Sequence, residues 1–114
     1  MLDHGKTAVS IIAAYKAVKS GYQVAVMAPT AILSKQHLKN FEEILSNFNI
    51  KCELLVSGIS KKQKEDILKR LSNGEIDVLI GTHSLLEENV VFKNLSALYD
   101  YYSIIGGILQ RKGA

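Results

Sequence analysis

One triplet in this sequence has the residue types and order needed to bind phosphate. Gly5, Lys6 and Thr7 are consecutive and open a stretch of helical composition. A glycine lets backbone N–H groups approach a phosphate, a lysine supplies a point charge, and a threonine hydroxyl can ligate Mg²⁺. These are the last residues of the pattern G-x-x-x-x-G-K-[ST], whose first glycine would fall before Met1. Taken alone, the triplet is more often the solvated start of a helix.

Two further segments place small polar residues directly after short apolar runs. They are Ala28-Pro29-Thr30, after the run 23–28, and Gly81-Thr82-His83, after the run 77–81. Open α/β sheets bind their ligands at the carboxyl ends of the strands, where hydroxyls and backbone N–H groups suit phosphate contacts. The alternative for Thr30 is a helix cap alone, and for His83 a hydrogen-bonding loop residue.

The elements that would position these residues alternate between helix length and strand length. A stripe of apolar side chains predicts the second helix, and a capping-box pattern of Ser60 with Gln63 predicts the third. We expect helices over 6–20, 30–48 and 61–71, strands over 23–28, 52–56 and 77–81, and a loop with a possible short helix over 82–88. This order predicts an α/β fold of three layers, with a mainly parallel sheet covered on both faces. Residues 95–109 receive no assignment.

Composition narrows the class of protein. The 114 residues suffice for one domain, and 14 basic against 11 acidic residues give a net charge of only +3, evenly spread. The sequence shows no basic tail of the kind that by itself indicates nucleic-acid binding. No apolar run is long enough for a membrane helix, and the first residues lack the order of a signal peptide. With Cys52 as the single cysteine, these features favour a cytoplasmic protein and a buried, unreactive thiol.

The chain resembles superfamily 2 DNA helicases, and most closely the first motor domain of RecG-type branch-migration helicases. The resemblance covers about residues 5–95. Its segments are Gly-Lys-Thr at 5–7, GYQVAVMAPTAILSKQH at 21–37, NFNIKCELLVSGISKKQKEDIL at 47–68 and LSNGEIDVLIGTHSLLEENVVFKNL at 71–95. It implies a partial P-loop NTPase (RecA-like) lobe over 1–95, followed by a divergent tail over 96–114.

The resemblance also implies roles for particular positions. Gly5, Lys6 and Thr7 would bind the nucleotide, ATP, with Thr7 on the Mg²⁺ ion. The residues that would contact branched or single-stranded DNA follow two strands and begin one helix: Pro29, Thr30, Lys35, Gly81, Thr82 and His83. No residue is assigned a catalytic role.

The sequence departs from the family pattern in two places. Met1-Leu2-Asp3-His4 stands where the glycine-bearing half of the phosphate loop belongs. After Leu95 the family has a strand ending in an Asp-Glu pair, whereas here Asp100 is followed by Tyr101. A surface or turn aspartate is the favoured interpretation of Asp100, and a metal ligand the alternative. The second motor lobe, which supplies an arginine to the γ-phosphate, is also not in the chain.

Three hypotheses follow. The first is a RecG-like helicase motor fragment of the kind used in DNA repair and recombination, without ATP hydrolysis of its own. The second is a lobe that binds nucleic acid or phosphate without hydrolysis. The third is a remnant without the strand that precedes the phosphate loop in the family, so that unpaired sheet edges lead to self-association, unless the tail 98–109 folds back into the place of that strand. Two weaker alternatives concern single elements. One is a metal-binding role for His37. The other is a function beyond a solvated helix turn for Lys61, Lys62 and Lys64.

Overall fold

The computed structural model describes residues 4–100 and 109–110, with side chains from Ala8 to Leu95. Its helices are α1 (His4–Lys19), α2 (Ala31–Leu45) and α3 (Lys61–Ser72), with short 3-10 turns at Ser46–Phe48 and His83–Leu86. Its strands are β1 (Gln23–Met27), β2 (Cys52–Leu55), β3 (Val78–Gly81), β4 (Leu95–Asp100) and β5 (Leu109–Gln110). The predicted order αβαβαβ is confirmed, and each predicted element lies within a few residues of its expected bounds.

The strands form one sheet in the order β2-β3-β1-β4-β5. The pairs β1–β3, β2–β3 and β1–β4 are parallel, whereas β5 runs antiparallel to β4. Because parallel neighbours need a crossover connection, α2 and α3 each carry the chain back across the sheet before the next strand begins. All the parallel strands therefore end at the same edge.

Helices cover both faces of the sheet, which gives the three layers expected from the sequence. One face packs against α1 and α2, whose buried residues Ile11, Ala14, Phe41 and Leu45 join alternate residues of β1 and β3. The other face packs against α3, through Ile67 and Leu71. Strands β1 and β3 are buried along their whole length, as expected for strands covered on both sides.

Local sequence signals set the starts of α2 and α3. The Thr30 hydroxyl accepts a hydrogen bond from Leu33 N–H at 3.1 Å and so caps α2. Ser60 and Gln63 form the full capping box of α3, as the sequence predicted. At the other end of α3, Arg70 bonds both Glu53 on β2 and Asp66 on its own helix, which ties α3 to the edge strand of the sheet.

Strand β4 is the principal element that sequence reasoning did not assign. It lies beside β1, with β5 next to it, so part of the 96–114 segment joins the sheet. The strand runs across the expected domain boundary at residue 95, and the division there stays a prediction. Residues 101–108 and 111–114 lie outside the described residues.

Helix α1 is only partly covered by the rest of the protein. Ile11 and Ala14 are buried, but Val9 is 66% and Ile12 57% exposed. Other apolar residues of the helix are partly buried against the core: Ala13, Tyr15, Ala17 and Val18. Within the described part of the chain, no helix has both the length and the apolar character needed to span a bilayer.

Candidate functional site

The carboxyl ends of the parallel strands meet along one edge, where the sequence-predicted site residues lie. The register places Met27 of β1 level with Gly81 of β3, and Gly81 level with Leu55 of β2. On the other side of β1, Met27 is level with Asp100. The segments that follow β1 and β3 therefore leave the sheet side by side. We call this place, with Pro29, Thr30, Gly81, Thr82 and His83, the strand-end edge.

The segment after β1 is held directly to the end of β3. Ala28 donates its N–H to the Gly81 carbonyl oxygen at 2.8 Å, one residue beyond the last aligned pair. Pro29 and Thr30 follow and are both exposed. The Thr30 carbonyl oxygen accepts from both the N–H and the hydroxyl of buried Ser34, each at 3.0 Å. The position of Thr30 is thus fixed from both sides, while its side chain stays at the surface.

The segment after β3 depends on the absence of a side chain at Gly81. A Cβ at this position would overlap the Leu55 carbonyl oxygen and lie 2.9 Å from a Leu85 methyl group. The short turn His83–Leu86 begins directly after Thr82, and the Thr82 side chain does not cap it. The Ser84 hydroxyl donates to the Leu55 carbonyl oxygen at 3.2 Å. These contacts hold Thr82, which is half-buried, and His83, which is exposed, at the end of β3.

Charged side chains of both signs lie near this edge, with Glu87 and Glu88 exposed directly after the His83–Leu86 turn. Lys35 is exposed in the second turn of α2, close to Thr30 along the helix. Lys61 and Lys62 are exposed in the first turn of α3, whereas Lys64 pairs with Glu87 at 3.0 Å. That ion pair joins α3 to the loop after His83–Leu86. The edge thus combines hydroxyls, backbone N–H groups and lysines, which suits contacts to a phosphate backbone more than reading of bases.

The phosphate triplet lies in the first turn of α1, since the helix begins at His4. Helix α1 leads into β1 through a short turn and packs on it through Ile11 and Ala14, so it runs back along the sheet. Its first turn therefore lies toward the edge where β1 ends. The side chains of Gly5, Lys6 and Thr7 are outside the described residues, as are Met1 to Asp3. Asp100 ends β4 at the same edge, and its side chain is likewise not described.

Two side chains considered at the sequence level are set back from this edge. His37 is buried, 7% exposed, on α2. Cys52 begins β2 at the opposite end of the sheet, where burial, with help from Glu42 and Asp77, raises the pKa of its thiol to about 12. Over the residues whose side chains are described, no three of His, Cys, Asp and Glu cluster as a metal would require.

Sequence reasoning missed a buried polar side chain at the amino end of β1. Gln23 is 5% exposed. Its amide bonds the Leu71 and Ile76 carbonyl oxygens and the Asn94 N–H, at 3.0, 2.7 and 2.8 Å. The available signal was a glutamine that opens an otherwise apolar strand. Its partners lie far away in the sequence, so no local pattern identifies them.

Comparison with known proteins identifies the family that this chain is similar to. The family model described as DEAD/DEAH box helicase matches residues 4–105. The ATP-dependent DNA helicase RecG of Aquifex aeolicus is 44% identical over 108 residues, which are 95% of this chain and 14% of that protein. RecG of Bacillus subtilis is 43% identical over the same share of the chain and 16% of its own length. The transcription-repair-coupling factor of Escherichia coli is 43% identical over 82% of the chain.

Solved helicase structures share the fold of this chain. A structure of RecG bound to a three-way DNA junction superposes with a TM-score of 0.77 and 45% identity, over 82% of this chain and 13% of that one. The Mycobacterium smegmatis helicase Lhr, bound to ssDNA and AMP-PNP, gives a TM-score of 0.66 at 15% identity, which shows a shared fold. The chain spans only about one seventh of the RecG relatives that it matches. Because the family model matches nearly the whole length of this chain, the chain belongs to the DEAD/DEAH box helicase family, and it matches part of the helicase domain of RecG.

Proposed function

We propose that the strand-end edge binds the phosphate backbone of DNA, as part of a RecG-like ATP-dependent helicase motor. The observation that carries this proposal is the alignment of Met27 with Gly81, together with the hydrogen bond from Ala28 to Gly81. This arrangement sets the Thr30 and Thr82 segments side by side on a rigid sheet. Two adjacent hydroxyl-bearing turns can contact successive phosphates of one strand.

Lys35 extends the proposed contact along α2. It is exposed one turn beyond Thr30, and a cation there would lie beside a bound backbone. His83, exposed at the end of β3, would add a donor from the neighbouring strand. Such contacts position a nucleic acid without reading its sequence. We therefore propose single-stranded and branched DNA as partners, bound without marked sequence preference.

The nucleotide would bind at the first turn of α1. Gly5, Lys6 and Thr7 lie in that turn, which contains no acidic residue, so its N–H groups and the positive end of the helix dipole suit a phosphate. The triplet thus fits the phosphates of ATP. Lys6 would hold the β- and γ-phosphates and Thr7 the Mg²⁺ ion, which neutralises charge that develops on the transferred phosphoryl group.

Hydrolysis is a separate matter from binding. In phosphoryl transfer, catalysis rests on positioning and on charge stabilisation by Mg²⁺, a lysine and an arginine acting together. Here Asp100 ends β4, but no glutamate follows it in the sequence, and the next residues are tyrosines. We therefore propose that the 114-residue chain binds without hydrolysing ATP. We further propose that the protein is cytoplasmic. The alternative to DNA binding is association between copies of the chain through their sheet edges.

The test is fluorescence anisotropy of labelled single-stranded DNA and of a three-way junction, titrated with the chain at several salt concentrations. We expect binding at low salt that weakens steeply as salt is added, because neutralising phosphates releases counterions. Thr82→Val and Lys35→Ala should each weaken binding several-fold. Lys35→Ala should also reduce the slope of log K against log salt by about 1.

Lys39→Ala is the matched control, since Lys39 is an exposed lysine on the same helix, about 6 Å further from the edge. It should bind DNA as the parent chain does. Absence of binding at low salt, or equal losses for Lys35→Ala and Lys39→Ala, would remove the proposal.

A further inference from the structure

One lysine of α3 lies on the side of the helix that packs against the sheet. Lys64 precedes the buried residues Ile67 and Leu71 by three and seven positions, so the three side chains share one face of the helix. Lys64 stands in the first turn of α3, and only residues 56–60 separate this helix from the end of β2. Because all the parallel strands end at one edge, Lys64 brings a positive charge to the side of the sheet where the strand-end edge lies.

The ammonium group of Lys64 is paired with a carboxylate from the segment that follows β3. Its Nζ lies 3.0 Å from Oε1 of Glu87, the residue directly after the His83–Leu86 turn. A 3-10 helix rises by about 2 Å per residue, which places Glu87 about 8 Å along the chain from His83. The ion pair therefore lies next to the residues proposed to contact DNA, and it cancels a positive charge there.

The turn after β3 does not depend on this ion pair for its position. Leu85 is buried, and the Ser84 hydroxyl donates to the Leu55 carbonyl oxygen at 3.2 Å. The Glu87 N–H donates to the Ser84 carbonyl oxygen, also at 3.2 Å, so the backbone of Glu87 is held as well. The side chains of Lys64 and Glu87 are 35% and 49% exposed, and ion pairs with such access to solvent contribute little to folding. The main consequence of the pair is therefore electrostatic.

The position of Lys64 at the start of a helix favours a negative partner. A cation in the first turn is opposed by the positive end of the helix dipole, and the Glu87 carboxylate offsets this cost. A DNA phosphate would offset it equally. Lys61 and Lys62 share the turn but are fully at the surface and form no ion pair within the described part of the chain. Lys64 differs from them in being half-buried and in having a carboxylate partner.

We propose that Lys64 is a further phosphate contact of the strand-end edge, and that Glu87 competes with the DNA backbone for it. This inference rests on the proposed function, because the competitor is the bound DNA. While Glu87 holds Lys64, the lysine adds little to the attraction between the edge and a phosphate. A phosphate that displaces Glu87 returns an exposed carboxylate to solvent at little cost. Glu87 thereby limits the affinity of this edge for DNA.

The test is the titration of labelled single-stranded DNA by fluorescence anisotropy at several salt concentrations. Glu87→Gln keeps the shape of the side chain but removes its charge, so Lys64 becomes available to a phosphate. We expect several-fold tighter binding at low salt and a slope of log K against log salt that is steeper by about 1. Glu87→Ala is a second way to remove the carboxylate and should steepen the slope equally.

The double variant Lys64→Ala with Glu87→Gln shows whether the gain passes through Lys64. It has the same net charge as the parent chain, since one positive and one negative side chain are removed together. We expect its affinity and its salt slope to return to the parent values. A gain that survives in the double variant would overturn the proposal.

Glu88→Gln is the matched control for the loss of a negative charge. Glu88 is exposed, is adjacent to Glu87 and forms no ion pair within the described residues. This variant leaves Lys64 paired, so its salt slope should stay at the parent value. Equal slopes in Glu87→Gln and Glu88→Gln, with DNA binding by the parent chain, would overturn this inference and leave the proposed function intact. Absence of DNA binding in every variant would remove both.

Discussion

Ala28 donates its backbone N–H to the carbonyl oxygen of Gly81 at 2.8 Å, just beyond the point where β1 and β3 end. This bond fixes the distance between two turns, the one leading to Thr30 and the one leading to Thr82, which are 52 residues apart in the chain. The pairing of β1 with β3 in the sheet therefore brings these two turns together to form the strand-end edge.

Gly81→Ala should destabilise the fold. A Cβ at this position would overlap the Leu55 carbonyl oxygen, a backbone atom that can move aside only if the end of β2 shifts relative to β3. We expect a loss of about 3 kcal/mol in the free energy of unfolding, measured by urea denaturation. Gly58→Ala is the control, since Gly58 has open space around it and only a positive φ of +93° to strain. It should cost about 1–2 kcal/mol. Equal losses of unfolding free energy in Gly81→Ala and Gly58→Ala would show that the contact with Leu55 has no effect on stability.

Thr30 should have two separable roles. Thr30→Ala removes the hydroxyl that accepts from Leu33 N–H, and we expect a loss of about 1 kcal/mol in unfolding free energy together with weaker DNA binding. Thr30→Ser keeps a hydroxyl and should retain most of both properties. Denaturation and anisotropy on the same samples provide the comparison. Full DNA affinity in Thr30→Ala would leave Thr30 as a helix cap alone.

The thiol of Cys52 should be unreactive in the folded chain. Burial raises its pKa from 9.0 to about 12, so it stays protonated at neutral pH. Ellman's reagent at pH 8 should react slowly with the folded chain and rapidly in urea. Fast reaction in the folded state would contradict the burial.

The same shift predicts how stability depends on pH. The folded pKa lies above the unfolded one, so the contribution of Cys52 is fully present below about pH 9 and is lost between pH 9 and about 12. The unfolding free energy of the parent chain should therefore fall more over this range than that of Cys52→Ala. Parallel falls in the two proteins would show that the thiol has no such effect.

The chain should bind nucleotide without turning it over. We expect thermal stabilisation by ATP with Mg²⁺ that is lost in Lys6→Ala, because a ligand that binds only the folded state raises its melting temperature. Phosphate release should stay at background with or without DNA. DNA-stimulated hydrolysis that disappears in Lys6→Ala would contradict the second part of this prediction.

Local patterns predicted most of the fold. Thr30 and the pair Ser60 and Gln63 marked the starts of two helices, and short apolar runs marked β1 and β3. Both kinds of signal act over a few residues, so a single sequence displays them. The resemblance to RecG-type helicases came from segments that contain these elements, and the roles of the strand-end residues stay a prediction.

Strand β4 and the Gln23 contacts could not be predicted in the same way. Leu95 to Asp100 lacks strong turn signals and acquires its strand geometry by pairing with β1, more than 70 residues earlier in the chain. The hydrogen bonds of Gln23 likewise join residues separated by 48 to 71 positions. Pairing over such distances is set by the assembled sheet, and no local window of the sequence contains it.

The most direct test of the central claim is the perturbation of backbone amide chemical shifts when single-stranded DNA is added at low salt. The account predicts that the largest shifts fall on Thr30 to Lys35 and on Gly81 to Leu86, at the ends of β1 and β3. Shifts confined to the exposed apolar residues of α1, or no shifts at all, would contradict it.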